Sequence, residues 1–219
     1  MKKIIINESQ LSNVLLKEAM TGSFNKDVFD SLPSFAQKAK YCKALFGSPI
    51  GNGSSRIVYQ IDDYRVFKLA WNEKGVAQNE QESAILNDYY LDGMCIFPQV
   101  YKDSDTENYS YIVADYVIPA KNSDFKKILG LSFKDVCEVI RTMDVNLRWD
   151  NNRKLLQYAY ERDEEFWSDV ENYMNGYDIP SGDLCAMRNW GLSPKNGGSL
   201  VILDSGLNND IFDNYYRPK

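Results

Sequence analysis

Residues 51–70 read Gly-Asn-Gly-Ser-Ser-Arg-Ile-Val-Tyr-Gln-Ile-Asp-Asp-Tyr-Arg-Val-Phe-Lys-Leu-Ala. Ile57, Tyr59 and Ile61 recur at every second position, the period of a half-buried strand. Asp62-Asp63 supplies a turn, and residues 64–70 make a second strand, so the stretch predicts a hairpin. Gly51 and Gly53, in the run Gly51-Asn52-Gly53-Ser54-Ser55-Arg56, are placed in the turn of a hairpin. Glycine lets a backbone approach a phosphate and aim N–H groups at it, and the same residues also serve an ordinary hairpin turn. Lys68 lies inside the apolar run Val66-Phe67-Lys68-Leu69. A lysine there either faces solvent or is paired.

Working outward, residues 75–90 are helix-like, with Ile85, Leu86 and Tyr89 on one face. Glu82 lies three and four residues before Ile85 and Leu86 and shares their face. A carboxylate on an inner face needs a cation, and Lys68 is the obvious one. Glu80 is the fallback, and a solvated glutamate at the edge of the face is the alternative. Residues 97–102 and 111–117 read as further strands around a polar turn at 103–108.

After Pro119 the chain turns helical. Phe133, Val136, Cys137, Ile140 and Met143 form one stripe, and Phe166, Val170, Tyr173 and Met174 another. Pro180-Ser181-Gly182 ends the second helix. Residues 200–203 make a short apolar strand that stops at Asp204. Upstream, residues 4–6 predict a strand and residues 8–20 a helix opened by a capping-box-like Asn7 and Gln10. Residues 21–35 read as a connector, and 35–46 as a short helix. The pattern is α+β. It divides into an N-terminal extension at 1–47, a strand-rich part at 48–117 and a helical part at 118–219.

Composition narrows the function. The 219 residues suit one domain or two closely packed lobes. The 44% hydrophobic content excludes disorder as the dominant state. With 25 basic against 31 acidic residues, the chain is a poor non-specific nucleic-acid binder, and no nucleic-acid partner is expected. There is no histidine, which removes Ser–His–Asp and Cys–His catalysis and histidine zinc sites. Acid–base work falls to Asp, Glu, Lys or Tyr. Cys42, Cys95, Cys137 and Cys185 are scattered without C-x-x-C spacing and read as free thiols. No signal-peptide core and no membrane-length apolar run is present, so a cytoplasmic protein with no membrane partner is expected.

The second half adds polar residues that suit phosphate chemistry. Asp183 follows Ser181-Gly182, Asn189 comes six positions later, and Asp204 ends an apolar strand before Ser205-Gly206. Mg²⁺ takes carboxylate and amide oxygens together with phosphate oxygens. Singly, each Asp also fits a turn.

In order, the chain has a Gly-rich hairpin, a strand Lys, a helix Glu, a strand ending Asp-Tyr-Val, then Asp, Asn and Asp-x-Gly. This resembles the protein-kinase-like family over residues 48–208. The resemblance implies a two-lobe fold with a small antiparallel-sheet N-lobe and a truncated helical C-lobe, and it implies ATP and Mg²⁺ as cofactors. Gly51 and Gly53 then cover the phosphates, Lys68 pairs the α- and β-phosphates, and Glu82 holds Lys68. Ala114-Asp115-Tyr116-Val117 resembles the gatekeeper and hinge, so Asp115 and Val117 bracket the adenine. Asp183 corresponds to the catalytic-loop Asp, and Asn189 and Asp204 to the metal ligands.

The sequence also departs from that family. Arg56 replaces a third glycine, Ser-Gly-Asp replaces His-Arg-Asp in a form closer to aminoglycoside phosphotransferases, and Ser205 replaces a Phe. Five residues separate Asp183 from Asn189, and 13 follow Gly206, too few for an activation segment. The implied activity is an ATP- and Mg²⁺-dependent phosphotransferase of minimal Ser/Thr-kinase type. The alternatives are a pseudokinase acting as a nucleotide-binding or interaction module, a small-molecule kinase, and an α+β domain with a coincidental set of acids. Residues 3–11 and the shortened layout resemble phage-encoded proteins, which implies host cytoplasm or virion.

Overall fold

The computed structural model describes residues 23–86, 94, 96–145, 152–195 and 197–217. The predicted strand at 4–6 and helix at 8–20 lie outside the described residues. The fold is mixed α+β with two antiparallel sheets.

The first sheet has the order β1 (Gly51–Asn52), β2 (Arg56–Gln60), β3 (Arg65–Ala70) and β4 (Tyr111–Asp115). Its register sorts side chains by parity. Ile57 pairs with Leu69, Tyr59 with Phe67, Phe67 with Val113 and Leu69 with Tyr111. These residues belong to one buried cluster with Phe29, Leu32, Tyr41 and Cys42. Arg56, Val58, Val66 and Lys68 take the opposite parity.

The apolar face must be covered, and residues upstream of the sheet cover it. α1 (Lys26–Asp30) starts at Asn25, whose Oδ1 accepts from the Val28 N–H at 3.1 Å. α2 (Phe35–Phe46) starts at Ser34. The expected connector therefore contains a helical turn, because the Asn25 cap and the fully buried Phe29 give it a start and an anchor. Residues 23–47 contribute Phe29, Leu32, Tyr41 and Cys42 to the core on this face of the sheet.

α3 (Glu73–Leu86) packs against the other face. Two glycines set its distance. A Cβ on Gly75 would lie 2.1 Å from the Ser55 carbonyl oxygen, and one on Gly206 would lie 2.3 Å from that of Gln78. The predicted strand at 97–102 is reduced to a bridge between Val100 and Ala114. Pro98 has no N–H to give a ladder, and the pairing that remains runs from Asp115 N–H to Gln99 O and from Tyr101 N–H to Val113 O.

The remainder contains α4 (Asn122–Leu129), α5 (Phe133–Met143), α6 (Arg153–Arg162), α7 (Glu164–Gly176), α8 (Ser181–Leu184), a 3₁₀ turn (Met187–Asn189) and α9 (Asn209–Tyr215). Both predicted stripes lie inward, with Val136, Ile140, Val170 and Tyr173 fully buried. This half holds more strand than its helical stripes suggest. β5 (Ile118–Pro119), β6 (Trp190–Ser193) and β7 (Ser199–Ile202) form an antiparallel sheet. β6 occupies residues whose Gly and Asn neighbours favour a polar turn. Trp190 is fully buried and pairs with Ile202, so tertiary packing outweighs those local signals. α7 ends at Gly176, before Pro180, and Ser181-Gly182-Asp183 opens a further helical turn.

Cys42, Cys137 and Cys185 are free thiols, and Cys95 lies outside the described residues. Among the described residues no helix is long and apolar enough to cross a membrane.

Candidate functional site

Lys68 points away from the aromatic face and is 7% exposed. Its ammonium donates to Glu82 Oε1 at 2.5 Å and to the Leu203 carbonyl at 2.7 Å. Of the two readings open for this lysine, the paired one holds. Glu82 is fully buried, while the fallback Glu80 is exposed.

A second cation completes the cluster. Arg56, buried on the same sheet face, donates from Nη1 to Glu82 Oε2 at 2.5 Å and to Asn79 Oδ1 at 3.3 Å, and from Nη2 to Asp204 Oδ1. Burial opposes its charge, but Asp204 and Glu82 raise its pKa above the usual arginine value. Burial also opposes the Asp204 carboxylate, yet Arg56 and Lys68 hold it below the usual range, helped by the Gly206 N–H. In the sequence, Arg56 stands out only as a missing glycine. The signal that places it is parity: position 56 shares a face with Val58 and, across the hairpin, with Lys68.

This cluster forms the back of a cleft of about 490 Å³. Gly51, Gly53, Val58 and Val66 line one wall, and Asp115, Tyr116 and Val117 line the edge where the two sheets meet. Arg188, Asn189, Leu203 and Asp204 line the opposite wall. Of the residues singled out in the sequence, Gly51, Gly53, Lys68, Asp115, Val117, Asn189 and Asp204 share this one cleft. Glu82 stands behind Lys68.

Asp183 sits beside the cleft. Its carboxylate Oδ1 accepts from Asn189 Nδ2 at 2.8 Å, and its carbonyl accepts from the same amide at 2.9 Å. Burial, and then the charge of Asp204, push the Asp183 carboxyl up to about 7, against the opposing Asn189 hydrogen bond. The Leu203 N–H donates to the Asn189 carbonyl at 2.8 Å, which brings the segments carrying Asn189 and Asp204 together.

The Asp115 side chain is engaged within the protein. Its carboxylate accepts from Tyr101 Oη and from Lys195 Nζ, both at 2.6 Å, and from the Gln99 N–H at 3.1 Å. The side chain is committed to packing, and what it leaves for a ligand is main chain.

The donor set suits Mg²⁺ in a limited way. Asp204 keeps its side chain 40% exposed, and Asn189 spends its amide N–H₂ on Asp183, which leaves the amide oxygen. One carboxylate and one amide oxygen match a hard cation that also takes phosphate oxygens. Among the described residues no cluster of three His, Cys, Asp or Glu side chains forms, so protein groups alone do not make a complete cage.

Compared with models of known protein families and with curated proteins, the chain matches none.

Proposed function

We propose that this chain is a protein-kinase-like phosphotransferase of two lobes that takes ATP in the cleft between its sheets and transfers phosphate with Mg²⁺. The observation that carries the reading is the buried Lys68–Glu82 pair at the back of a cleft bordered by Gly51, Gly53, Asn189 and Asp204.

Three features support it. First, an ammonium has three protons, and Lys68 uses two, on Glu82 and on Leu203 O, so one is left for a phosphate oxygen. Second, a Cβ on Gly51 or Gly53 would make only ordinary contacts, at 3.5 and 3.6 Å. Folding does not require glycine there, whereas close approach of a phosphate does. Third, Val58 and Val66 offer an apolar wall for a base, and the backbone at Val117 lies on the same cleft edge.

Asp183, with its carboxyl near neutrality, is placed to accept the proton of an acceptor hydroxyl. A Ser or Thr hydroxyl is the proposed acceptor. Mg²⁺, when bound with the triphosphate, supplies charge neutralisation between phosphate oxygens, and Asp204 with the Asn189 amide oxygen would hold it.

The test is ATP calorimetry combined with γ-phosphate transfer to casein. Wild type is expected to bind ATP, and Lys68→Ala to lose binding. Asp183→Ala is expected to keep ATP and lose transfer by about 10²–10⁴-fold. Full transfer by Asp183→Ala removes its role, and no ATP binding at millimolar concentration removes the nucleotide reading.

The second reading, a pseudokinase module, is favoured by one observation: Asp204 is already paired with Arg56. Binding of ATP without transfer to casein in the wild type selects that reading.

A further inference from the structure

We infer that Arg56 is a built-in counter-cation for Asp204, so that ATP enters this cleft without needing a divalent metal, and a metal reaches Asp204 only by displacing the guanidinium. This inference rests on the nucleotide reading of the cleft.

The charges at the back of the cleft are two cations, Lys68 and Arg56, and two carboxylates, Glu82 and Asp204, joined in one chain of contacts. The cluster is neutral as it stands. Lys68 is shared with Glu82, so without Arg56 the half-buried Asp204 carboxylate would lose its direct ion pair and face an incoming triphosphate with its charge compensated only in part. Like charges at close range in a partly buried site repel strongly. A divalent ion between the two is one remedy, and a fixed guanidinium is another.

Arg56 has the features of a fixed one. It is 6% exposed, it lines the cleft, and it is held at Nη1 by Glu82 and Asn79. Asn79 is itself anchored, donating from Nδ2 to the Tyr109 carbonyl at 2.8 Å. A guanidinium stays charged at every relevant pH and presents its donors in a rigid fork. With one arm of the fork on the helix α3 carboxylate, the other arm reaches Asp204 from β2. The contact therefore spans the cleft from the sheet to the segment after β7. Lysine at 56 would carry the charge without the fork, and glutamine would carry neither.

ATP calorimetry on the full chain, in excess EDTA and in excess Mg²⁺, tests this on wild type, Arg56→Lys and Arg56→Gln. Wild type is expected to bind ATP in EDTA within about threefold of its affinity in Mg²⁺. Arg56→Gln is expected to lose about tenfold or more in EDTA and to recover with Mg²⁺, which takes the emptied place beside Asp204. Arg56→Lys is expected to fall between them. Wild-type binding that strengthens about tenfold or more with Mg²⁺ overturns the role of Arg56 while the nucleotide site stands. Equal metal dependence in wild type and Arg56→Gln also overturns it. No binding by wild type in either buffer overturns the nucleotide reading and this inference with it. Should Arg56→Gln not fold, the wild-type comparison and Arg56→Lys decide the matter.

Discussion

The two faces of the four-stranded sheet are built from the same strands and differ in almost everything else. One face carries Ile57, Tyr59, Phe67, Leu69, Tyr111 and Val113, closed over by Phe24, Phe29, Tyr41 and Phe46. Phe67 and Tyr111 stack at 4.4 Å between ring centroids. The other face carries Arg56 and Lys68, closed over by α3 and its Glu82. Each large apolar side chain buried on the first face contributes about 1.5–3 kcal/mol. Charges buried on the second roughly offset their own desolvation, so their net contribution is small. A strand period of two thus lets one short hairpin act as foundation on one side and as chemical site on the other.

The largest expected effects come from breaking either face. Glu82→Ala leaves two buried cations without their common partner and is expected to cost about 3–5 kcal/mol. Phe67→Ala empties the aromatic stack and is expected to cost about 3–5 kcal/mol. Urea melts measure both. The faces separate in the ATP titration. Phe67→Ala, measured where it is still folded, is expected to keep wild-type affinity within about threefold, while Glu82→Ala loses it because Lys68 is no longer held. Loss of affinity in both variants to the same extent contradicts the division of labour between the faces.

Much of this contrast is legible in the amino-acid sequence. The hairpin, the helix with Glu82 and both apolar stripes of the second half follow from periodicity, because each buries one face against a neighbour. The Lys68–Glu82 contact follows from a simple requirement: a carboxylate on an inner helix face must meet a cation. Arg56 escapes a motif comparison, which sets it against a glycine, and is placed only by strand parity. Strand β6 is hidden because Trp190-Gly191-Leu192 lies among turn-forming residues, and its pairing with β7 is a tertiary fact. The committed side chain of Asp115 depends on Lys195, 80 residues away, which no local pattern reports. The sheet's outer cover is hidden because residues 23–47 look partly like a polar connector, and only the burial of Phe29 shows otherwise.

Glycines sharpen the comparison at a smaller scale. Gly206→Ala drives a Cβ against the backbone of α3 at Gln78, and α3 carries Glu82. The variant is expected to lose about 1–3 kcal/mol in urea melts and to weaken ATP binding as well. Gly51→Ala meets only Val58, its Cβ at 3.5 Å, and is expected to stay within about 0.5 kcal/mol of wild type while still weakening ATP binding. One glycine serves the fold and the other serves the ligand. A stable Gly206→Ala protein with full ATP affinity contradicts the close packing of α3.

A last contrast separates the two acids flanking Asn189 by the sign of their pH dependence. Asp183 has its carboxyl raised to about 7, against about 3.9 in an unfolded chain. The folded state therefore holds this proton more tightly. The stability it contributes is fully present below about pH 4 and is lost as pH rises toward about 7. Asp204 has its carboxyl lowered, so its contribution is present above the unfolded value of about 3.9 and is lost as pH falls through its lower folded value. Thermal melts in EDTA across this range read both. Asp183→Asn is expected to gain on wild type as pH rises from about 4 to 7 and then to hold level. Asp204→Asn is expected to be most destabilised at neutral pH and to close the gap as acid protonates the wild-type carboxylate. The two difference curves run in opposite directions because burial and the Asp204 charge dominate at Asp183, whereas Asp204 is paired directly with Arg56. Curves of the same sign would mean that Arg56 does not discriminate between the two carboxylates.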